Sequence, residues 1–143
     1  MKDANCIFCK IASGQVPSAR LLEDEVAFAF LDIGPLAEGH ALLVPKDHYV
    51  TIDQMPPAAA ADLLRHLPAL AGAVKAAVGA EGVNILQNNG LVAHQVVQHV
   101  HFHIIPRRAG DEFHFNWPAG RYATGRTEEL AEKIRQALRD RPV

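Results

Sequence analysis

Apolar residues occur along this chain in short runs separated by polar turns, a pattern typical of β-strands. Two runs, at 20–23 and 26–31, are separated by two acidic residues and predict a hairpin. Further strands are predicted at 40–44, where Pro45 ends the run, at 83–88, and at 98–106. A loop containing glycine and proline joins the second strand to the third, so that Asp32 and His40 lie at its two ends.

Two other segments have the longer apolar spacing of helices. Between 56 and 78 the chain is rich in alanine and leucine, and Pro68 is expected to kink this helix or to split it in two. A last helix is predicted from an N-cap at Thr127 through Leu138, with acidic residues in its first turn. The apolar stripes of the two segments are Leu63, Leu67, Leu70 and Val74, and Leu130, Ile134 and Leu138.

The order of these elements predicts an α+β fold. We expect a mainly antiparallel sheet of about five strands, one long central helix and a C-terminal helix. With 143 residues, 49% of them apolar, the chain fits a single domain over residues 1–143, in which 109–143 form a C-terminal tail and helix.

Charge and composition exclude several classes of partner. The formal net charge is −2 and no cluster of Lys and Arg is longer than a pair, so we expect a small phosphate ligand rather than a nucleic-acid polymer. No run approaches the ~20 apolar residues of a membrane span, and the first residues lack the apolar core of a signal peptide. These features predict a cytoplasmic protein without membrane contact.

Three histidines alternate with apolar residues in the last predicted strand. Because a strand sends alternate side chains to opposite faces, His99, His101 and His103 are expected on one face. Imidazole acts near pH 7 as a nucleophile, a proton carrier or a metal ligand, so the row predicts a functional site. The alternative is the solvated polar face of an amphipathic strand.

The only two cysteines, Cys6 and Cys9, are separated by two residues. In a reducing compartment this spacing suggests metal binding or redox chemistry before it suggests a structural disulfide.

Several short segments match the motifs of one protein family, and they occur in the same order along the chain. They are CIFCKI at 6–11, FLDI at 30–33, GHALLVPKDH at 39–48, QNNG at 87–90, and the three histidines with two following apolar residues at 99–105. Together they resemble the histidine triad (HIT) family of nucleotide hydrolases and transferases, which implies a HIT-like fold. Segment 106–111 is similar to the diadenosine polyphosphate hydrolase branch, where Arg107 and Arg108 would either accept extra phosphates or form a solvated turn.

The resemblance implies that the middle histidine, His101, is the nucleophile. It would attack the α-phosphorus of a bound nucleotide, and water would then resolve the nucleotidyl-histidine; a neutral imidazole can do this without prior deprotonation. His103 would meet phosphate oxygens or the leaving group. His40 resembles the histidine that fixes the nucleophile's ring, and His99, the first of the row, is counted in the same catalytic set.

The resemblance also implies a nucleotide-binding set with a purine base. Asp32 would bind the ribose hydroxyls, since a carboxylate suits a vicinal diol. Asn88 and Gln95 resemble amides on the phosphate side, and the backbone N–H of Val96 would add a donor to a developing oxyanion. The residues that would hold the base, each of which can instead be core, are Phe8, Ile11, Phe30, Leu31 and Ile33.

Two residues depart from the family pattern. His94 stands where many relatives have glycine, and Val96 stands where several have serine or threonine, so one hydroxyl is missing near the leaving group. His94 either assists there or is a loop histidine that points to solvent.

A structural zinc site and a homodimer are further implications of the resemblance. Cys6, Cys9, His48 and His99 would form a closed Cys₂His₂ set that ties the N-terminus to the catalytic strand. The alternative is a pair of thiols without metal.

The predicted function is hydrolysis or transfer at the α-phosphate of a purine nucleoside 5′-phosphoramidate or dinucleoside polyphosphate, with release of AMP or GMP. The competing interpretation is a zinc-containing nucleotide-binding module with vestigial catalysis that engages a partner protein. A redox protein based on Cys6 and Cys9 lacks a βαβ context.

Overall fold

A computed structural model describes residues 2–141. The chain divides into a compact unit that ends at Glu112 and a second one that begins at Phe113. In chain order the helices and strands are α1 (Ile7–Ala12), β1 (Arg20–Glu23), β2 (Ala27–Leu31), β3 (Ala41–Pro45), α2 (Pro57–Leu64), α3 (Leu67–Val78), β4 (Gly82–Gln87), β5 (Phe102–Arg107) and α4 (Arg126–Arg139).

The first unit is built on one five-stranded sheet in the order β1-β2-β3-β5-β4. Every neighbouring pair is antiparallel, so the predicted hairpin of β1 with β2 and the pairing of β4 with β5 are confirmed. Strand β5 lies between β3 and β4, so His103 is opposite Leu42 of β3 and Leu86 of β4. Pro45 is the last residue of β3, paired with Ala27.

The two faces of the sheet bury different side chains. In β2, Ala27 and Ala29 face α2 and α3, where their small size lets the helices pack closely. Phe28 and Phe30 point to the other face, where they pack with α1. The α+β fold predicted from the sequence is therefore confirmed, with one apolar core on each side of the sheet.

Strand β5 begins at Phe102, later than the sequence suggested. The N–H of His99 donates to Val97 O, and that of Val100 donates to Tyr49 O, so the backbone joins the sheet only after this point. The alternation of faces still holds, because Val100 and Phe102 both lie in the core cluster on the face that packs against α2 and α3.

The central helical segment is split into two helices at residues 65–66, just before Pro68, which is one of the two outcomes that its sequence allowed. Pro68 lies in the first turn of α3, where its missing N–H costs no hydrogen bond. In the loop before β3, Gly39 has φ 91°, and a Cβ there would lie 2.8 Å from Val78 Cγ1. A glycine therefore lets the segment that ends at His40 pass close to α3.

The second unit contains α4, whose predicted N-cap is wrong. Gly125, with φ 79°, precedes the helix, and no side chain caps it; Thr127 is already inside the first turn. A glycine that tolerates the left-handed region replaced the side-chain cap that local preference favoured. Glu128 and Glu129 occupy the first turn as expected. Within residues 2–141, none of the helices is both long and apolar enough to span a membrane.

Candidate active site and metal centre

A cavity of about 410 Å³ opens between α1, the sheet and the histidine row. Its deep end is apolar, with Phe8, Ile11 and Phe30 all buried. Its mouth is exposed: Ile33 is 100% and Val96 87% accessible to solvent. Between the two ends the wall carries Asp32, His101 and His103, while the remaining lining residues are Ile7, Val16, Pro17, Ser18, Leu42, His94 and Val97.

His101 is held in one orientation at this wall. Its Nδ1–H donates to the backbone carbonyl of His99 over 2.6 Å, and the Phe8 ring lies edge-on with centroids 5.1 Å apart. The proton on Nδ1 leaves Nε2 with its lone pair free. Burial lowers the pKa of His101, so the ring is neutral at pH 7 and nucleophilic at Nε2.

A chain of hydrogen bonds assigns the proton of His103. The backbone N–H of Leu36 donates to Nδ1 of His40 over 3.1 Å, so His40 carries its own proton on Nε2. That Nε2–H donates over 2.9 Å to Nδ1 of His103. In the neutral ring of His103 the proton therefore sits on Nε2.

The two histidines of this chain are kept neutral by their surroundings. His40 is only 2% exposed, and burial lowers its pKa. Burial, followed by the neighbouring rings of His101 and His40, lowers the pKa of His103 to about 4. The structure thus places His40 against His103 rather than against His101, a pairing that the order of residues did not indicate.

Asp32 lies beside this pair at the end of β2. Its Oδ1 accepts the N–H of Gly34 over 2.8 Å, and its Oδ2 lies 3.7 Å from Nε2 of His40. The 2.9 Å between the His40 and His103 nitrogens is shorter than the ~3.3 Å edge of a tetrahedral zinc site, so these residues form a hydrogen-bonded chain.

Three residues of the predicted nucleotide-binding set are outside the cavity. Leu31 follows the face of Ala27 and Ala29 and lines a different cavity beside α3. Asn88 donates to the backbone carbonyl of His94. Gln95 is 1% exposed, and both ends of its amide are engaged: Gly90 N–H donates to it over 2.7 Å, and it donates to Val50 O over 2.6 Å.

Leu42 is the lining residue that sequence reasoning missed most directly. It shares one face of β3 with Val44, in the same core cluster as Phe28 and Phe30. The alternation within 41–45 was a usable signal for this face, but the pairing of Leu42 with His103 depends on sheet order and is not visible in either strand alone.

Arg107, the last residue of β5, and Arg108, which follows it, have hydrogen-bond partners at the turn after the strand. Arg107 makes two hydrogen bonds with Asp111, at 2.6 and 2.7 Å, and a third with Asn84. Arg108 contacts the backbone carbonyl of Val78. Neither arginine lines the histidine cavity.

Four residues from three segments converge beside the histidine row. The ligating atoms of Cys6, Cys9, His48 and His99 all lie within 4.8 Å of one another. Cys6 Sγ is 3.4 Å and Cys9 Sγ 3.7 Å from Nδ1 of His99, and Cys9 Sγ is 3.5 Å from Nδ1 of His48.

These distances fit a tetrahedral zinc site. Bond lengths of roughly 2.3 Å to sulfur and 2.05 Å to nitrogen give a sulfur–nitrogen edge of about 3.6 Å. His99 donates its Nε2–H to Pro45 O over 2.9 Å, which leaves Nδ1 as the ligand atom. A Cys₂His₂ set of this kind is closed, with no position for water. The predicted ligands are thus brought together as a possible metal-binding cluster.

The HIT domain family model matches residues 13–110, so the chain belongs to the HIT family. The adenosine 5′-monophosphoramidase of Candida albicans is 41% identical over 142 residues, which cover 94% of this chain and 92% of that protein. A crystal structure from Streptococcus mutans has a TM-score of 0.92 at 39% identity and covers 96% of this chain and 87% of its own. A zinc-bound histidine triad family protein from Mycobacterium smegmatis has a TM-score of 0.73 at 37% identity, with 93% and 97% covered.

Proposed function

We propose that this protein is a HIT-type nucleotide hydrolase that acts at the α-phosphate of a purine nucleoside 5′-phosphoramidate or dinucleoside polyphosphate. The observation that carries the proposal is His101, whose free Nε2 stands on the wall of a cavity with a buried apolar end. The monophosphoramidase activity named for the Candida albicans relative supports the same class of reaction.

The cavity suits a nucleotide that enters base first. Phe8 and Phe30, whose rings meet edge to face with centroids 5.7 Å apart, and Ile11 form an apolar wall against which a purine can pack. Asp32, the residue that follows β2, has its Oδ1 bonded to Gly34 N–H and offers Oδ2 to the ribose hydroxyls. The α-phosphate then lies at His101 and His103, and the product would be AMP or GMP.

In the first step, Nε2 of His101 forms a bond to the α-phosphorus as the bond to the leaving atom breaks. The electron pair of that bond stays with the leaving atom, which takes up a proton when it is an amine. The proton comes from solvent by way of the His40–His103 pair, where the carboxylate of Asp32 offsets its charge. A bound phosphate favours this uptake, because its negative charge raises the pKa of a neighbouring histidine.

In the second step, water attacks the phosphorus of the nucleotidyl-His101. The phosphorus–nitrogen bond breaks, its electron pair returns to Nε2, and the proton from water passes to the His40–His103 pair. The carbonyl of His99 keeps the Nδ1–H of His101 engaged throughout, so the ring does not turn between the steps. The single hard displacement is thereby divided into two easier ones.

Zn²⁺ is proposed as a structural ion held by Cys6, Cys9, His48 and His99. When bound it would supply a rigid link between the N-terminal segment and the row, and it would offer no open position for catalysis. The zinc-bound relative supports this assignment.

We further propose a homodimer of a single catalytic domain in the cytoplasm. Strand β4 is an edge of the sheet, with Ile85 41% exposed, so a second copy can cover it. The family match ends at residue 110, close to the end of the first unit, which supports a C-terminal tail and helix over 109–143 outside the catalytic machinery.

The test is release of AMP from adenosine 5′-phosphoramidate and from a diadenosine polyphosphate, measured side by side. His101→Ala should lower turnover by at least about a thousandfold and retain AMP binding. His66→Ala, which changes a histidine outside the cavity, is the matched control. Mass spectrometry of protein quenched during turnover should find the nucleotidyl adduct on the peptide that contains His101.

Absence of turnover with both substrates would overturn the proposal. If AMP still bound, the nucleotide-binding module would be the better description.

A further inference from the structure

His94 adopts a left-handed backbone conformation, which is unfavourable for a residue that has a side chain. With φ 64° and ψ 28° it is the one residue other than glycine, within the described part of the chain, that has a positive φ. A side chain in this region costs of order 1 kcal/mol relative to glycine. The chain therefore carries strain at this position that glycine would relieve.

Neighbouring residues hold His94 in place. Its N–H donates to Leu91 O over 3.0 Å, which closes the turn of residues 91–93, and the side chain of Asn88 donates to its carbonyl. The next residue, Gln95, is fixed to Gly90 and Val50 by its buried amide. The imidazole is thus presented by a braced loop.

The histidine cavity runs from a buried end to an exposed mouth, and His94 lies at the mouth. It lines the cavity together with Val96, and both residues are exposed, whereas Phe8 and Phe30 at the deep end are buried. A nucleotide that enters base first directs whatever leaves from its α-phosphorus toward this end.

Donors to an anion are scarce on this wall. Among the described residues that line the cavity there is neither a lysine nor an arginine; Arg107 is bonded to Asp111, and Arg108 contacts the backbone carbonyl of Val78. In the proposed reaction His101 attacks the α-phosphorus and His103 delivers the proton to the leaving atom. The other lining side chains that can donate are the imidazole of His94 and the buried hydroxyl of Ser18, and of these two His94 is the exposed one at the mouth.

We propose that His94 determines specificity for the leaving group, by donating a hydrogen bond to phosphate oxygens attached to the α-phosphate on its leaving side. The inference rests on the proposed function, and it names anionic, phosphate-containing leaving groups as those that the site favours over ammonia or a small amine. The strain at His94 is maintained for this contact.

The test compares His94→Gly with His94→Asn. Glycine adopts this backbone conformation without strain but has no side chain, whereas asparagine tolerates it and retains an amide N–H. The ratio of kcat/KM for a diadenosine polyphosphate to kcat/KM for adenosine 5′-phosphoramidate should fall about tenfold in His94→Gly, as expected from one hydrogen bond to a charged group. His94→Asn should recover part of that ratio.

A binding measurement separates this proposal from the hydrolase assignment. In the His101→Ala background, where no turnover interferes, calorimetry gives the ratio of Kd for AMP to Kd for the diadenosine polyphosphate with and without His94→Gly. A lower ratio in the double variant supports the role of His94 even if the wild type hydrolyses neither substrate. An unchanged ratio, with a higher Tm from the relieved strain, overturns it.

Discussion

Gln95 is a buried amide that braces the loop in front of the histidine row. Its Oε1 accepts the N–H of Gly90 over 2.7 Å and its Nε2 donates to Val50 O over 2.6 Å, and its side chain is 1% exposed. The family pattern suggested that this amide faces a phosphate. The two interpretations predict opposite results for the same substitutions.

Gln95→Ala should destabilise the fold. It removes two hydrogen bonds and leaves one N–H and one carbonyl without a partner, at about 1–3 kcal/mol for each orphaned group. Because both groups are only half-buried, we take the lower part of that range, about 3 kcal/mol in total. For a chain of this size that corresponds to a fall in Tm of roughly 10 °C.

Gln95→Glu is the matched variant, since it keeps the shape and the acceptor for Gly90. At pH 8 the introduced carboxylate faces Val50 O without a proton to donate, so the variant should be about as unstable as Gln95→Ala. Burial and that carbonyl raise the pKa of the introduced carboxyl. Its proton is therefore regained as the pH falls, and the deficit relative to wild type at the same pH should shrink toward pH 5.

Urea unfolding of metal-saturated protein at one fixed concentration measures these differences, because both zinc and dimerisation add to apparent stability. The reasoning fails if Gln95→Ala unfolds at the wild-type urea midpoint and instead raises KM. That outcome would indicate that the amide of Gln95 contacts a phosphate of the substrate.

Two further predictions concern protons and metal. Burial and the facing rings of His101 and His40 hold the pKa of His103 near 4. Below about pH 6.5 the unfolded chain therefore binds a proton that the native chain does not. The free energy of unfolding should then fall by roughly 1.4 kcal/mol per pH unit for each such histidine as the pH is lowered. The carboxylate of Asp32 opposes this loss in part, and a flat Tm between pH 7 and 5 would contradict it. Protein purified without chelators should contain about one zinc per chain, and either a chelator or Cys6→Ser should release it and lower the Tm; full stability at zero metal content would refute the zinc centre.

Periodicity predicted the parts of the fold that depend on local pattern. The strict alternation at 99–105 separates the histidines from Val100 and Phe102, and the structure keeps that separation even though the strand starts only at Phe102. The same rule, applied to β2, would have excluded Leu31 from the base slot, because it shares the face of Ala27 and Ala29. The error came from treating the run 30–33 as one unit.

Partners that are distant along the chain account for what the sequence did not indicate. Gln95 is polar and lies in a loop, which is typical of an exposed side chain, and only the approach of Val50 makes it a buried one. His40 meets His103 because β3 and β5 are neighbours, although 63 residues separate them. Thr127 fits the local preference for an N-cap, yet Gly125 is the residue that precedes the helix.

The three histidines of the row are alike in sequence and different in chemistry. The Nε2–H of His99 donates to Pro45 O, which turns Nδ1 toward the thiols; the Nδ1–H of His101 donates to the carbonyl of His99, which frees Nε2. His103 accepts a hydrogen bond at Nδ1 from the Nε2–H of His40 and so presents its own Nε2–H. Each role depends on which ring nitrogen a neighbour engages. Because His99 contributes its ring to the cysteine cluster and its carbonyl to His101, any change at the metal centre acts on the nucleophile through one residue.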